Sequence, residues 1–413
     1  MLKKIIIENY RSCLRTSFEC HPNLSVLIGP NGSGKTNILQ AIMFLNKLIQ
    51  EGDREPHEDA ITVSSRIRAV LTSGSIQTTL STSVNAYADE SNNDVLTASR
   101  QKWFIKRGMG QAIRVDLPMM AFTHFNDERM MPRQMYLFHH QRMHYRMAMR
   151  LPAKESPKWI TSAVSESVRF CEGIRYYGAS QFTNPGACPV SFEIEKEGKR
   201  QRYFRLRGHA KILYQMYMSQ KAENRERYEQ FFSIVGPKGL KLIDDLTFRE
   251  VTTSSIEHTV RVGGKVEVRR RYKLLIVPQF RIGKHRLSPN QLSEGTFKTL
   301  ALLFHITTED CTALLIEEPE VCIHHGLLSS ILEVIKLHSR RKQIIISTHS
   351  DYVLDHVSPQ NVFRVSYERS AGTVVNHINK TMTAKELSAL KEYLEKEGNL
   401  GEYWREGGLG DRR

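Results

Sequence analysis

At the start of the chain, the spacing of apolar residues is first typical of strands and then typical of a helix. Lys3–Asn9 is rich in β-branched residues and Leu24–Ile28 is a short apolar run, so both predict strands. After a glycine-rich loop, apolar residues recur at helical spacing, namely Ile38, Leu39, Ile42, Leu45, Leu48 and Ile49. The opening of the chain is therefore predicted to be strand, loop and helix.

The middle of the chain changes pattern twice. Short alternating segments between 60 and about 106, broken by glycine and asparagine, predict an antiparallel β-lobe. A Met-, His- and Arg-rich helical pattern covers about 126 to 172, and Ile174–Tyr177 predicts a strand. A basic helical region near 208 to 234 and a hairpin over 259 to 268 follow.

The last third returns to alternating helices and strands. A helix is predicted after Gly295, and the later elements are the strand Ala313–Ile316, the helix Leu327–Leu337, the strand Gln343–Ser347 and a helix near 384 to 397. We expect these strands to join the N-terminal ones in an α/β fold.

Composition adds a charge argument to this pattern. The 413 residues carry 59 Lys and Arg against 44 Asp and Glu, a formal net charge of +15. This basic excess favours a polyanionic partner, although it also serves solubility. No apolar run is long enough for a membrane span, and charged residues occur among the first residues where a signal peptide would have an apolar core. A cytoplasmic protein is therefore expected. Six cysteines without CxxC pairs indicate reduced, structural thiols.

The loop Gly29–Thr36 matches GxxxxGK[ST] in its full context of strand before and helix after. Glycines let successive N–H groups face a phosphate, Lys35 should contact the β- and γ-phosphates of ATP, and Thr36 should offer its hydroxyl to Mg²⁺. A simple glycine turn before a core helix would not require Lys-Thr. The predicted nucleotide-binding residues of this loop are Asn31, Gly32, Gly34, Lys35, Thr36 and Asn37.

Two adjacent carboxylates end the predicted strand Ala313–Ile316. Because parallel strands present ligands at their carboxyl ends, Glu317 is predicted to hold Mg²⁺ and Glu318 to act as the general base for water. The alternative interpretation is an acidic cap on the following helix.

A histidine between hydroxyl residues ends the strand Gln343–Ser347. His349 is predicted to bond the γ-phosphate or the attacking water, and so to act in catalysis. The alternative is a strand-terminal histidine that bonds a backbone carbonyl.

Ser293 and Gly295 open a further predicted helix, 22 residues before Glu317 when counted from Gly295. A serine hydroxyl and the N–H groups of a helix start make a second anion site. One nucleotide does not need two anion sites in the same chain, so the second site is expected to contact the nucleotide bound by another subunit. This predicts a homodimer or higher oligomer with ATP at its interface. The alternative is an ordinary serine-capped helix.

Together these four elements, with a β-lobe after the first helix, resemble the ABC-type ATPase heads of the SMC, Rad50 and RecF group. The segments Leu292–Thr296, Glu317–Glu320 with Ile323–His325, and Ser347–Ser350 resemble in particular the bacterial anti-phage ATPases of the PtuA type, found in Septu and retron systems. The resemblance implies the α/β fold of an ABC-type P-loop head with an N-terminal antiparallel β-lobe and a helical/β insertion.

The resemblance also implies roles for particular residues. It makes Lys35 and Thr36 the phosphate-loop pair, Glu318 and His349 catalytic, and Ser293 and Gly295 the signature. Gln181 occupies the place of a glutamine that senses Mg²⁺ and contacts the nucleotide. Glu317 departs from the family pattern, where aspartate is usual, which puts the metal geometry in doubt.

A division of the chain into three parts follows from the same resemblance. Residues 1–125 would form an N-terminal ATPase lobe with the phosphate loop and β-lobe, and 126–285 the insertion with Gln181. Residues 286–413 would form a C-terminal ATPase lobe with the signature, both acidic residues, His349 and a tail helix.

The function implied is an ATP-binding and hydrolysing regulatory subunit, with Mg²⁺, that controls a separate nuclease of HNH type in anti-phage defence. Nucleic acid is the expected polyanion: DNA, or the reverse-transcribed DNA/RNA of a retron, with no membrane involved. A nuclease domain after His349 is not expected, because the remaining 64 residues are too few. The alternative function is a RecF-like repair ATPase that clamps nucleic acid, and a transporter subunit is disfavoured by the long basic insertion.

Three segments mix cations with aromatic residues, as phosphate contact and base stacking require, and these are 100–107, 199–207 and 269–273. The same pattern is typical of solvated edge strands. His139, His140 and His144 lie at helical spacing, but no carboxylate or cysteine completes a metal site near them, so a polar helix is the favoured interpretation.

Overall fold

A computed structural model of the chain describes residues 1–50, 64–89, 94–116, 120–121, 158–197, 200–202, 206, 208–221, 225–260, 266–308, 311–321, 323–396 and 398–407. The chain divides into two compact units. The first unit contains Met1–Tyr176, Cys311–Glu318 and Ser339–Arg413. The second unit contains Tyr177–Asp310 and Pro319–His338.

The described strands, in chain order, are β1 (Leu2–Tyr10), β2 (Cys13–Glu19), β3 (Leu24–Ile28), β4 (Ser64–Ser73), β5 (Ile76–Asp89), β6 (Asp94–Arg107), β7 (Ile113–Asp116), β8 (Met120–Ala121), β9 (Ile174–Gly178), β10 (Phe192–Glu197), β11 (Arg200–Arg202), β12 (Asp245–Val260), β13 (Val266–Ile282), β14 (His285–Leu287), β15 (Ala313–Glu317), β16 (Gln343–Thr348), β17 (Val362–Glu368) and β18 (Gly372–His377). The described helices are α1 (Lys35–Gln50), α2 (Lys158–Glu172), α3 (Gly208–Ser219), α4 (Arg225–Val235), α5 (Glu294–Thr308), α6 (His325–Ser339), α7 (Asp351–Asp355), α8 (Ile378–Thr381), α9 (Ala384–Lys396) and α10 (Leu400–Arg405).

A mostly parallel sheet lies at the centre of the first unit, with the strand order β18-β17-β3-β16-β15-β9. Strand β16 is parallel to both β3 and β15, and β17 is parallel to β3 before it turns back into β18. Every residue of β3 and β16 is buried, in keeping with their mainly apolar sequences, and the buried polar residues include Ser25 and Gln343. This order brings the carboxyl ends of β3, β16 and β15 to one edge, where the candidate residues lie.

An antiparallel sheet forms the other layer of the first unit, in the order β2-β1-β4-β5-β6-β7 with β8 beside β6. Buried and accessible residues alternate along 65–71, 78–83 and 102–106 of β4, β5 and β6, because only one face of these segments meets the core. That face, α1, α2 and the parallel sheet share one hydrophobic cluster, whose members include Ile5, Ile67, Trp103, Ile42, Val164 and Leu315. Helix α1 therefore leaves the glycine loop directly into the core.

The second unit combines an antiparallel sheet with helices. Its strands follow the order β11-β10-β13-β12, with β14 beside β13. The long hairpin of β12 and β13 pairs from Asp245 with Arg281 to Val260 with Val266. Aromatic contacts join its elements, since the rings of Phe231 on α4 and Phe304 on α5 meet edge to face at 5.3 Å.

The expected α/β fold class is confirmed, with the β-lobe, the hairpin near 259 to 268 and the C-terminal alternation all present. Sequence patterns missed β2 and the β17–β18 hairpin, which are short or polar on one face. The three-part division of the chain remains a prediction. His139, His140, His144 and most of 199–207 lie outside the described residues.

Among the described residues, Cys13, Cys20, Cys171, Cys188 and Cys311 are free thiols. Burial raises the pKa of both Cys171 and Cys188 to about 12, so neither is a thiolate at neutral pH. Among the helices of the described segments, none is long and apolar enough to cross a bilayer.

Candidate functional site

The glycine loop connects a fully buried strand to the first turn of α1. Gly32 and Gly34 adopt φ values of +78° and +100°, a region that side chains with a Cβ rarely occupy. The backbone N–H of Ile38 donates to the carbonyl of Gly34, which starts the helix directly behind the loop. Asn31 and Gly32 are exposed at the loop tip, where a ligand can reach them.

Close packing fixes the loop from behind. A Cβ on Gly34 would lie 1.9 Å from the Thr373 hydroxyl, and one on Gly29 would lie 2.1 Å from the Val365 carbonyl. The hydroxyls of Ser12 and Thr373 are 2.7 Å apart, and the Asn37 amide donates to Ser12 at 2.6 Å. Asn37, predicted to contact nucleotide, is therefore also part of the support beneath the loop.

Lys35 folds over the loop. Its ammonium group donates to the carbonyls of Gly29 and Pro30, at 2.8 and 2.9 Å. The residue is buried, with only 5% of its surface exposed. This places the cation predicted to contact phosphates inside the loop.

Glu317 ends β15 and receives a hydrogen bond on each carboxylate oxygen. The Thr36 hydroxyl, from the first turn of α1, donates to Oε1, and the Tyr176 hydroxyl, from β9, donates to Oε2. The parallel register of β15, β16 and β3 brings Glu317 level with Ser347 and Ser347 level with Leu27. The two residues predicted to share a metal, Thr36 and Glu317, are thus in direct contact.

Tyr176 is a part of this cluster that sequence reasoning missed. Burial, and then the hydrogen bond and charge of Glu317, raise the pKa of Tyr176 far above its ordinary value. The phenol therefore stays protonated at neutral pH and acts as a donor. Its only sequence signal is a tyrosine in the strand Ile174–Tyr177, 141 residues before Glu317.

Glu318 follows in a strained conformation with φ of +46°. Its backbone N–H donates to the carbonyl of Ser347 at 2.8 Å, and its carboxylate oxygen lies 3.5 Å from Nδ1 of His349. The carboxylate of Glu318 therefore lies near the residue that follows the end of the neighbouring strand β16. Helix α6 begins only at His325, so neither glutamate caps it.

The remaining predicted residues belong to the second unit. Ser293 is exposed, and its Oγ accepts a hydrogen bond from the N–H of Thr296 at 3.1 Å, so it caps α5. Gly295 lies in the first turn of the same helix. The cap agrees with the ordinary interpretation of the serine, and the signature role of Ser293 and Gly295 stays a prediction.

Gln181 is exposed on a short 3₁₀ turn, Ala179–Phe182. The next residue, Phe182, is buried and stacks on Tyr177 at 5.7 Å and against Phe297 of α5 at 6.0 Å. Within the second unit the turn with Gln181 is therefore packed against the helix that begins at Ser293. The predicted Mg²⁺ role of Gln181 stays a prediction.

The residues of the first unit fit a magnesium nucleotide. The Ser33 hydroxyl is buried in the loop without a hydrogen-bond partner, as expected of a group directed at a ligand. Hydroxyl and carboxylate oxygens, supplied by Thr36 and Glu317, are the ligands that Mg²⁺ prefers. Among the described residues, no group of three His, Cys, Asp or Glu side chains forms another metal site.

Comparison with known families agrees with this geometry. The model of the AAA ATPase domain family matches residues 1–224, more than half of the chain, and the chain belongs to this family. A second model, described as an AAA domain, putative AbiEii toxin, type IV TA system, matches residues 221–355. Membership implies a nucleotide site of the kind described above.

Individual relatives match shorter segments. The chain is 48% identical over 44 residues to the DNA replication and repair protein RecF of Staphylococcus haemolyticus, which covers 11% of this chain and 12% of RecF. It is 38% identical over 63 residues to the DNA double-strand break repair Rad50 ATPase of Methanopyrus kandleri, which covers 13% and 7% of the two chains. The chain thus spans only about an eighth of the RecF relatives it matches.

Solved structures of SMC heads align along most of the chain. The SMC head domain from Thermotoga maritima is 13% identical, covers 91% of this chain and 98% of its own, and has a TM-score of 0.40. The SmcHead bound to the C-winged helix domain of ScpA is 12% identical, covers 91% and 96%, and has a TM-score of 0.42. The RecF and Rad50 similarity agrees with the expected SMC, Rad50 and RecF group.

Proposed function

We propose that the chain binds Mg·ATP in the loop Gly29–Thr36 and hydrolyses it. The observation that carries the proposal is the direct contact of Thr36 with Glu317, beside a loop that holds Lys35 inward. Glu317 and Thr36 would hold Mg²⁺. The metal would supply charge neutralisation between the β- and γ-phosphates.

Glu318 is the proposed general base. Its carboxylate would accept a proton from the attacking water as the new P–O bond forms and the bond from the γ-phosphorus to ADP breaks, releasing ADP and phosphate. His349, 3.5 Å away, would hold the water or the γ-phosphate in line. The strained turn at Glu318 supports the assignment, because such conformations cluster at functional sites.

Replacing this base tests hydrolysis separately from binding. Glu318→Gln should lower single-turnover ATP hydrolysis by roughly 10²-fold or more, the usual contribution of a general base, with ATP affinity close to that of the parent. Glu320→Gln, which removes a carboxylate two residues further on, is the matched control and should hydrolyse ATP normally. Parental turnover in Glu318→Gln would move the role to Glu317 or Glu320.

A second part of the proposal is an ATP-bridged dimer. Ser293 is exposed at the start of a 15-residue helix, so its hydroxyl and the first N–H groups can meet an anion from outside the subunit. In the proposed dimer, Ser293 and Gly295 of one chain contact the ATP held by the partner's loop.

Nucleic acid is the proposed polyanion, and the outer face of the antiparallel sheet supports it. Arg68, Ser81 and Lys102 are cross-strand neighbours on β4, β5 and β6, next to a row that contains Phe104. Their inward neighbours are buried in the core, so these side chains face outward. A face that presents cations, hydroxyls and the ring of Phe104 suits phosphates with little base readout.

Charge reversal on this face gives a direct test. Lys102→Glu with Lys106→Glu should weaken binding of duplex DNA and lower the slope of log affinity against log salt by roughly 1.8, or 0.9 for each lost phosphate contact. Lys385→Glu with Lys391→Glu on α9, both exposed, makes the same change of charge elsewhere. Equal losses in the two double variants would assign the effect to net charge alone.

The biological role we infer is regulation of a partner nuclease in defence, with an HNH enzyme as the suspected partner. The match of residues 221–355 to the putative AbiEii toxin domain supports defence, and the RecF similarity supports the alternative of repair. If a small HNH protein is encoded beside this chain, co-expression of the two should yield a stable complex whose DNA cleavage depends on ATP. Metal-dependent cleavage by the purified chain alone, abolished by a mutation within it, would contradict this division of labour.

A further inference from the structure

The carboxylate of Glu317 is held at both oxygens by donors from different elements. The Thr36 hydroxyl on α1 bonds Oε1, and the Tyr176 hydroxyl on β9 bonds Oε2. Strand β9 lies directly beside β15 in the parallel sheet, so the tyrosine reaches the carboxylate from the next strand. Oε1 is thus bonded at the end of the phosphate loop, and Oε2 is bonded to a residue of the neighbouring strand.

The hydrogen bond from Tyr176 restricts the position of a glutamate carboxylate, which is more mobile than that of an aspartate. The glutamate side chain has one more rotatable bond than aspartate, so its carboxylate can occupy more positions at the end of the strand. A tyrosine, with two side-chain torsions and a half-buried ring, is a rigid donor. Bonding Oε2 limits the rotamers of Glu317 to those that leave Oε1 beside Thr36.

We propose that Tyr176 is a positioning residue for the metal site and that it adapts this site to glutamate in place of aspartate. The inference rests on the proposed Mg·ATP function. Shortening residue 317 to aspartate would withdraw the carboxylate by about 1.5 Å, one carbon–carbon bond, and separate it from the Tyr176 hydroxyl. Tyr176 and Glu317 are therefore expected to act as a coupled pair.

The neighbouring Tyr177 provides a matched control. Its hydroxyl donates to the Lys298 carbonyl at 3.1 Å, and its ring is buried in the second unit. Tyr177→Phe removes a hydroxyl from the next residue of the same strand without touching Glu317. Tyr176→Phe keeps the ring and removes only the bond to the carboxylate.

The test is the Mg²⁺ dependence of nucleotide binding by the full chain, measured with a fluorescent ATP analogue. Tyr176→Phe should raise the Mg²⁺ concentration at half-maximal binding roughly ten- to a hundredfold, the effect of one hydrogen bond to a charged group. Affinity measured in excess chelator should match the parent. Tyr177→Phe should leave the Mg²⁺ midpoint unchanged.

A double-mutant cycle gives the second readout. In a Glu317→Asp background, adding Tyr176→Phe should shift the Mg²⁺ midpoint less than twofold further, because the bond is already lost. A parental midpoint in Tyr176→Phe, or an equal shift in both backgrounds, would overturn the inference and leave the proposed function standing. Failure of the parent to bind the analogue with Mg²⁺ would instead overturn the proposed function, and the inference with it.

Discussion

Two glycines of the phosphate loop differ in how much space a Cβ atom would have. Gly32 and Gly34 both have positive φ, but a Cβ on Gly32 would meet nothing within 4 Å, whereas one on Gly34 would overlap Thr373. The first substitution should carry only the conformational cost, on the order of 1 kcal/mol. The second adds a collision that the loop can relieve only by moving.

We therefore expect Gly34→Ala to lower ATP affinity more than tenfold and to lower the melting temperature, with Gly32→Ala much milder in both respects. Adding Thr373→Ala to Gly34→Ala removes two of the three overlapping side-chain atoms and leaves the Ser12 hydroxyl at 2.7 Å, so it should restore part of the affinity. Titration calorimetry and thermal unfolding measure these effects. Equal losses for the two glycines would show that φ alone, without packing, controls the loop.

At the same scale, sequence reasoning placed Thr36 and Glu317 together because a glycine loop and an acidic strand end are local patterns. It could not find Tyr176 or Thr373, which come from distant segments and have no pattern of their own. Their roles depend on strand order, which pairs β9 with β15 and brings the β18 hairpin behind the loop.

At the scale of elements, the C-terminal helix docks on the helix that follows His349. The N–H of Gly401 on α10 donates to Asp355 of α7 at 2.9 Å, and Arg405 pairs with Asp351 at 3.2 Å. A Cβ on Gly401 would lie 2.1 Å from the Asp355 carboxylate and 2.3 Å from the Asp351 carbonyl. Close approach at Gly401 therefore helps to hold α10 against α7.

Gly401→Ala should release α10 and loosen α7. Hydrogen exchange should increase in peptides covering 349–357 and 399–406, because the lost contacts join α7 and α10. Gly326→Ala, where the nearest atom is 3.6 Å away, is the control and should be neutral or slightly stabilising. Unchanged exchange at 349–357 would mean that α7 does not depend on the tail.

Element patterns predicted α1, β15 and β16 well, because buried strands and amphipathic helices have strong periodicity. The β17–β18 hairpin was missed since its partly accessible residues show no clean alternation. The sequence also did not show that β17 pairs with β3, a contact between segments more than 330 residues apart.

At the scale of the whole molecule, the dimer proposal predicts complementation between two inactive variants. Lys35→Ala removes the loop cation and Ser293→Ala removes the partner's contribution to the same composite site. An equal mixture should recover about one quarter of parental ATP turnover, since half of the dimers are mixed and each has one intact site of two.

Ser288→Ala provides the control for this mixture, because Ser288 caps a neighbouring 3₁₀ turn outside the signature and should stay active alone. Light scattering should detect dimers in saturating ATP. No recovery in the mixture, together with a monomer in ATP, would contradict the shared site.

The net charge could be counted from the sequence, but the sequence did not show which cationic side chains lie on the same face of the sheet. The register of β4, β5 and β6 was needed to show that Arg68 and Lys102 share one outward face. The signature segment was predicted from its residues, yet the proposed partner subunit, whose ATP this segment would contact, is a property of the assembly.

The central claim is that the loop Gly29–Thr36 binds ATP through Lys35, and direct titration of the full chain with Mg·ATP tests it. The parent should bind saturably, and Lys35→Ala should weaken binding roughly 100-fold or more, as expected for loss of a charged contact to phosphates. Lys211→Ala, an exposed lysine of α3, should bind like the parent. Equal affinity of the parent and Lys35→Ala for Mg·ATP would contradict the account.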